Sequence, residues 1–195
     1  MVQRSCETLD PRVRRTRQML RQALRKVLAE KEFEEISVQD ITEAATLNRA
    51  TFYDHFADKF ALLECMVGGE FHELLAEREI QFDGSCASAL RPIVLAVCDY
   101  LVRMHGSDCQ RQQSRPHMEA AIIAVVRGML VNGLKLQSPK SAVSAEMMAA
   151  AASWAIYGAA TEWLETPDRC SSEEISEAVT RLVSPILQQP QGAGV

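Results

Sequence analysis

The sequence predicts an all-α protein with a small N-terminal module of three helices and a larger helical C-terminal part. Two observations support this fold class. Apolar residues recur three and four positions apart along most of the chain, and no segment alternates apolar with polar residues as a half-buried strand does. The stretches between the periodic segments collect Gly, Ser, Pro and Asp, which favour turns. With 47% hydrophobic residues, the 195-residue chain can form a sizeable core.

The first predicted helix is basic. Asp10 followed by Pro11 is typical of an N-cap and first helical position, and apolar residues at helical spacing continue the helix to about Lys31. Residues 1–31 contain nine Lys or Arg and three Asp or Glu, whereas the whole chain has a net charge of −5. A basic end on an acidic chain fits a protein that presents this end to phosphate groups. A solvated helix without a partner explains the charge alone equally well.

Capping residues predict where the second and third helices begin. Ser37 and Asp40 form a candidate capping box at the start of helix 2, with Asp in place of the usual Glu. The predicted apolar face of helix 2 consists of Val38, Ile41, Ala44 and Ala45. Asn48 can cap a third helix over residues 49–56. Three short helices with a tight turn between the second and third are what a helix-turn-helix requires, and its third helix enters the major groove of DNA.

Helix 4 begins at Lys59 after a capping Asp58, and it is long enough to leave the N-terminal module. Its apolar pattern continues on both sides of Gly68 and Gly69. Each glycine disfavours a helix by about 0.8 to 1 kcal/mol relative to Ala. Two explanations stay open: a hinge that transmits changes along the helix, or close approach to a neighbouring helix.

Four further helices are predicted over residues 87–105, 116–136, 142–165 and 172–187. The third of them has a stripe of small residues about four positions apart, which includes Ala151, Ala155, Gly158 and Glu162. The last has an amphipathic apolar face. These faces either contact a second copy of the chain or complete the core of the monomer.

Residues 41–59 read I-T-E-A-A-T-L-N-R-A-T-F-Y-D-H-F-A-D-K, and the core A-x-x-N-R-A-T-F-Y-x-H-F resembles the signature of the tetracycline-repressor (TetR) family. The resemblance covers roughly residues 14–63. It implies a helix-turn-helix DNA-binding domain over residues 1–58 and a helical effector-binding and dimerisation domain over residues 59–195. It also implies a cytoplasmic homodimeric repressor, which a small-molecule ligand releases from a palindromic operator in double-stranded DNA.

The resemblance assigns the DNA contacts to helix 3 and its surroundings. Arg49 is the candidate for direct readout, because a guanidinium can bond a guanine edge through two hydrogen bonds. Ala50 is small enough to let the helix approach the bases. The other predicted contacts, mainly to phosphate, come from Ser37, Asn48, Thr51, Tyr53, His55, Lys59, Arg14 and Arg15, with Arg12 and Arg17 in the same basic cluster.

The turn between helices 2 and 3 is one departure from the family pattern. Family members often have Gly where this chain has Thr46. A residue other than Gly costs on the order of 1 kcal/mol at positive φ. We therefore expect the turn to differ in detail from the family pattern.

The resemblance also implies a ligand pocket among the middle helices of the C-terminal domain. A mostly apolar cavity with a few polar groups suits small amphipathic or aromatic compounds. The candidate residues are Tyr100, Met104, His105, Met118, Ile122 and Trp154. Each of them, taken alone, is more simply explained as a core residue.

Catalytic, metal and cofactor motifs are not found in the sequence. The six cysteines are widely spaced without C-x-x-C, so no metal site is predicted. The N-terminus has charges where a signal peptide needs an apolar core, which predicts a reducing cytosol and free structural thiols. Gly-rich phosphate loops, G-x-S-x-G and H-E-x-x-H are missing, and the four histidines are scattered. These absences argue against an enzyme on a helical scaffold, which is the second hypothesis. No cofactor is expected.

A third hypothesis is a helical adaptor whose basic N-terminus contacts anionic lipid. The uncharged alanine-rich stretch at residues 147–161 is shorter than the ~20 apolar residues that a bilayer requires, so no membrane span is expected.

Overall fold

The computed structural model describes residues 10–77, 86–105, 115–136 and 143–188. These residues form eight helices and no strand, which confirms the all-α prediction. The helices are α1 (Pro11–Leu28), α2 (Val38–Ala45), α3 (Arg49–His55), α4 (Lys59–Glu77), α5 (Cys86–His105), α6 (Arg115–Leu136), α7 (Ala145–Glu165) and α8 (Ser172–Leu187).

The described residues divide into two compact units. The N-terminal unit contains residues 10–66 and 115–118, and the C-terminal unit contains 67–77, 86–105, 119–136 and 143–188. In the first unit α1, α2 and α3 pack against one another, and in the second α5, α7 and α8 do so. The functional domains predicted over residues 1–58 and 59–195 stay a prediction.

Helix α1 is shorter than predicted, since it ends at Leu28 rather than near Lys31. Its last turn closes with short-range bonds, because the Ala29 amide donates to the carbonyls of Lys26 and Val27. Beyond the helix, Phe33 and Ile36 are each 1% exposed. Burial of these two apolar side chains turns the chain away from the helix axis.

Helix α2 turns a different face inward from the one its sequence suggests. Its buried residues are Ile41, Thr42 and Ala45, whereas Ala44, predicted to pack in the module, is exposed. Positions 41, 42 and 45 lie on one side of a helix with 3.6 residues per turn, and position 44 lies off that side. The packing prediction for Ala44 was therefore wrong.

The core of the C-terminal unit is built on α5 and α7. An unbroken run from Ile93 to Cys98 is buried on α5, and small residues such as Ala149, Ala152 and Ala160 are buried on α7. Small side chains let neighbouring helices approach closely. Burial raises the pKa of the Cys98 thiol to about 12, so this cysteine stays protonated and packs as a small apolar residue.

Helix α7 begins at Ala145, three residues later than predicted. The Ser144 hydroxyl accepts a hydrogen bond from the amide of Met147 at 3.2 Å and caps the helix. Because Ser at an N-cap stabilises a helix start, this bond fixes the boundary.

Helix α4 runs without interruption through the glycine pair. A Cβ added at Gly68 would lie 3.7 Å from Cγ2 of Val125, an ordinary van der Waals distance. Close approach therefore does not require glycine at this position. The hinge stays a prediction.

One described helix segment, Pro116–Lys135 of α6, is long and apolar enough to cross a membrane by length and composition alone. This is weak evidence, because core helices of soluble proteins pass the same test.

Candidate nucleic-acid interface

The start of α2 is fixed by the predicted capping box. The Asp40 amide donates to the Ser37 hydroxyl at 3.1 Å, and the Ser37 amide donates to Asp40 Oδ2 at 2.8 Å. Lys31 Nζ lies 2.6 Å from the other carboxylate oxygen. The hydrogen bonds from Lys31 and Ser37 hold the pKa of Asp40 well below its usual value. The Ser37 hydroxyl also donates to Asp40, so in this arrangement Ser37 has no proton left for a phosphate.

The turn between α2 and α3 has the backbone conformation that glycine favours. Thr46 lies in the left-handed region, at φ 55° and ψ 43°. Its amide bonds to the carbonyl of Glu43, and the Leu47 amide bonds to the carbonyl of Thr42 at 2.9 Å. The β-branched threonine side chain is strained in this conformation. The expected difference in detail from the family turn stays a prediction.

We expect Thr46→Gly to raise the free energy of unfolding by about 1 kcal/mol, because relief of left-handed strain exceeds the added chain entropy of glycine. Urea unfolding followed by circular dichroism measures the change. Ala44→Gly is the matched control on the same helix, where glycine should lower stability by about 1 kcal/mol. Loss of stability in both variants would contradict the strain argument.

Helix α3 presents most of its predicted contact residues to solvent. Phe52 is fully buried and anchors the helix, with Tyr53 edge-on to it at 5.4 Å between ring centroids. The exposed positions are Asn48, Arg49, Ala50 and Tyr53, and the half-buried ones are Thr51 and His55. These predicted contact residues therefore bring a guanidinium, a phenol, an amide and a methyl group to the exposed face.

Asn48 and Thr51 are engaged with each other at the start of α3. The Thr51 amide and hydroxyl both donate to Asn48 Oδ1, at 2.7 and 2.9 Å. The predicted N-cap is confirmed. Asn48 keeps its amide NH₂ for an outside acceptor, whereas the Thr51 proton is already used.

His55 and Arg17 lie together where α1 meets the end of α3. Burial and the nearby Arg17 charge lower the pKa of His55 below its usual value, so the imidazole is neutral at pH 7. Arg17 lies over the ring of Phe56, 4.6 Å from its centroid, and its Nη2 is 3.5 Å from Cys65 Sγ. Arg17 thus makes packing contacts inside the unit, while Arg12, Arg14 and Arg15 are exposed on α1.

Lys59 is bound inside the N-terminal unit. Its Nζ donates to the carbonyl oxygens of Phe33 at 2.7 Å, Glu34 at 3.1 Å and Ile36 at 2.8 Å. It also lies 4.7 Å from the ring centroid of Phe33. Burial lowers the pKa of Lys59 below its usual value. Three acceptors use the three ammonium protons, which favours a structural role over the predicted phosphate contact.

His117, in the first turn of α6, belongs to the same unit and was not singled out by sequence. Its ring centroid lies 5.1 Å from that of Phe33 and 5.4 Å from that of Phe60. Its Nε2 lies 2.8 Å from a carboxylate oxygen of Glu34. We call Phe33, Phe60 and His117 the ring cluster. No local sequence pattern predicts the ring cluster, because its members are up to 84 positions apart.

The predicted ligand residues are not brought together as a group. Tyr100 and Ile122 are buried in the C-terminal unit, and the Tyr100 ring lies 5.1 Å from that of Phe71. Met118 is grouped with the N-terminal unit instead. Trp154 is 59% exposed on α7, and Met104 is half-buried. The side chain of His105 lies outside the described residues.

Among the residues that the structure describes, no three His, Cys, Asp or Glu side chains lie close enough together to hold a metal ion. Three cysteines whose side chains the structure describes are free: Cys65 is half-buried, Cys98 is buried and Cys170 is exposed.

Comparisons with known proteins agree on the N-terminal part of the chain. Residues 20–66 match the family model of the bacterial regulatory proteins of the tetR family. YxbF, an uncharacterised HTH-type transcriptional regulator of Bacillus subtilis (strain 168), is 44% identical over 68 residues. Those residues are 34% of this chain, and the match spans 18% of the length of that relative.

Two solved structures are similar to the chain at low identity. A TetR transcriptional regulator from Streptococcus agalactiae 2603V is 16% identical, with a TM-score of 0.47 over 88% of this chain and 95% of its own. The regulator FadR from Bacillus subtilis, in complex with stearoyl-CoA, is 16% identical, with a TM-score of 0.43 over 85% and 96%. Residues 20–66 therefore match the N-terminal helix-turn-helix region of the tetR family of bacterial regulatory proteins.

Proposed function

We propose that this protein is a cytoplasmic transcriptional repressor, which binds a palindromic operator as a homodimer and leaves it when a small-molecule ligand binds. The observation that carries the proposal is the solvent exposure of Arg49, Ala50 and Tyr53 on α3, while the buried Phe52 anchors that helix in the unit. A recognition helix needs an exposed face to reach base edges in the major groove. The exposed Arg12, Arg14 and Arg15 on α1 supply positive charge for phosphate.

Dimerisation is supported by an apolar surface on the last two helices. We define the α7–α8 face as Met147, Ala151, Trp154 and Gly158 of α7 with Leu182 of α8, all of which are exposed. The exposed fractions of Met147, Trp154 and Leu182 are 64%, 59% and 74%. The small-residue stripe lies outside the core of the unit, which favours contact with a second copy over completion of the monomer. A two-fold dimer would present two recognition helices to two half-sites.

The effector part of the proposal rests on the resemblance to the family. Its predicted site would use Tyr100 and Ile122, which are buried in the C-terminal unit. An apolar environment with one phenol hydroxyl suits a small, mostly apolar or aromatic compound.

Arg49→Ala and Arg14→Ala should affect DNA binding differently. We expect Arg49→Ala to cost about 1 to 3 kcal/mol on the operator and to relax the preference at one position of each half-site. Arg14→Ala should weaken binding to all DNA sequences similarly. It should also reduce the slope of log affinity against log salt concentration by about 0.9, the value for one phosphate contact. Fluorescence anisotropy on operator and random duplexes at several salt concentrations measures both effects. Equal behaviour of Arg49→Ala and the parent on both duplexes would show that α3 is not the reader.

An electrophoretic mobility assay with the DNA upstream of the protein's own gene tests the function itself. A specific shift that random DNA of equal length does not compete supports a DNA-binding regulator. Binding to anionic liposomes without a DNA shift would support the adaptor instead, and the absence of both would favour the enzyme. Addition of small aromatic and acyl compounds to the shifted complex then tests release.

A further inference from the structure

One acidic residue lies in the middle of the exposed face of α3. With 3.6 residues per turn, Asp54 and Ala50 are each about 160° around the helix from Phe52. Phe52 is fully buried, and both Ala50 and Asp54 are exposed. These two positions therefore point most directly away from the core. Ala50 is among the contacts predicted from the sequence, and Asp54 is not.

A carboxylate at this position is unfavourable on a surface that approaches phosphate, because the two negative charges repel each other. Asp54 has no hydrogen bond or ion pair within the described part of the chain, so no internal cation neutralises it. Near a polyanion its charge weakens binding to every sequence alike. The charge becomes favourable only where it meets a hydrogen-bond donor, because an ionised carboxylate only accepts.

The major groove offers such donors on two bases. Cytosine presents its N4 amino group, whereas adenine presents its N6 amino group beside the acceptor N7. Guanine presents two acceptors and thymine one, and these repel a carboxylate. Cytosine is therefore the base that an aspartate favours most.

We propose that Asp54 is a specificity-determining residue, which accepts a hydrogen bond from the N4 amino group of a cytosine in each half-site. The proposal rests on the DNA-binding function proposed above. Ala50 lies one turn before Asp54, and its small side chain lets the helix backbone approach the groove. A short aspartate can then reach a base edge that it would miss beneath a bulky neighbour. The Asp54 charge lowers the affinity for DNA in general. At sites that carry the cytosine, the hydrogen bond to N4 compensates for this loss.

Selection from a pool of randomised duplex DNA tests this inference on the full-length protein. The variants are Asp54→Asn and Asp54→Ala, with Glu35→Gln as the charge-matched control. Glu35 is exposed between α1 and α2, so its substitution removes one negative charge from the same unit but not from α3. Circular dichroism and thermal unfolding check that each variant keeps the parent fold.

The parent and Glu35→Gln should select cytosine at the same position of each half-site. Both Asp54 variants should lose this preference by about tenfold or more, with the other positions unchanged. Binding to random duplexes should tighten more in Asp54→Asn than in Glu35→Gln, because charges farther from the phosphates are screened more strongly. If the Asp54 variants select the same bases as the parent at every position, the inference is overturned while the DNA-binding function stands. If the parent enriches no sequence, both fall.

Discussion

Lys59→Ala is expected to lower the free energy of unfolding by about 3 kcal/mol, because three charge-assisted hydrogen bonds to backbone carbonyls are lost together. The ammonium connects the start of α4 to the carbonyls of Phe33, Glu34 and Ile36. Two of these bonds are part-buried, and those acceptors would lose their partner. Lys59→Arg should restore only part of the loss, since a planar guanidinium cannot aim at three converging acceptors.

Urea unfolding gives the stability, and DNA titrations at several salt concentrations separate the two roles of Lys59. A structural Lys59 leaves the salt slope of the folded protein unchanged, whereas a phosphate contact would lower it by about 0.9 when removed. Lys26→Ala on α1 is the control, because Lys26 is exposed. If Lys59→Ala keeps the parent stability and flattens the salt dependence of DNA binding, Lys59 contacts phosphate and the structural role is wrong.

Leu182→Glu should weaken the homodimer by more than about 100-fold. Burial of one leucine side chain stabilises by about 1.5 to 3 kcal/mol. Because each residue occurs twice in a two-fold interface, the substitution removes at least about 3 kcal/mol from the free energy of dimerisation. The carboxylate adds a desolvation cost in an interface where the described chain places Trp154 and Met147 on the neighbouring helix.

Sedimentation equilibrium over a range of concentrations measures this change. Val102→Glu is the matched control, because Val102 is an exposed apolar residue on α5, outside the α7–α8 face, with 38% of its surface exposed. The control should keep the parent dimer. Equal masses for the two variants, or a monomeric parent, would contradict dimerisation through the α7–α8 face.

Helix starts and the fold class were predicted from the sequence, because both depend on residues that are close together along the chain. Asp10, Ser37 and Asn48 cap the helices that they were predicted to cap, because a capping bond involves residues two or three positions apart. The fold class followed from apolar periodicity for the same reason. The late start of α7 was missed because Ala142 favours a helix as well as Ala145 does.

Contacts between distant residues could not be predicted. A lysine at the start of a helix in a DNA-binding module suggested a phosphate contact, and only the fold brings the carbonyls of residues 33–36 to Lys59. Trp154 fitted an apolar pocket by composition, yet its position on α7 leaves it exposed. The outward place of Asp54 follows from helical spacing once Phe52 is known to be buried.

The ring cluster has a consequence for how the protein matures during synthesis. Phe33 and Phe60 leave the ribosome well before His117, which completes their contacts from the first turn of α6. At about 5 to 20 residues per second, the delay between residue 66 and residue 117 is roughly 3 to 10 seconds. During this interval the two rings and the Glu34 carboxylate lack the contacts that His117 later makes with them. The DNA-binding module therefore reaches its final stability only after more than half of the chain has been translated.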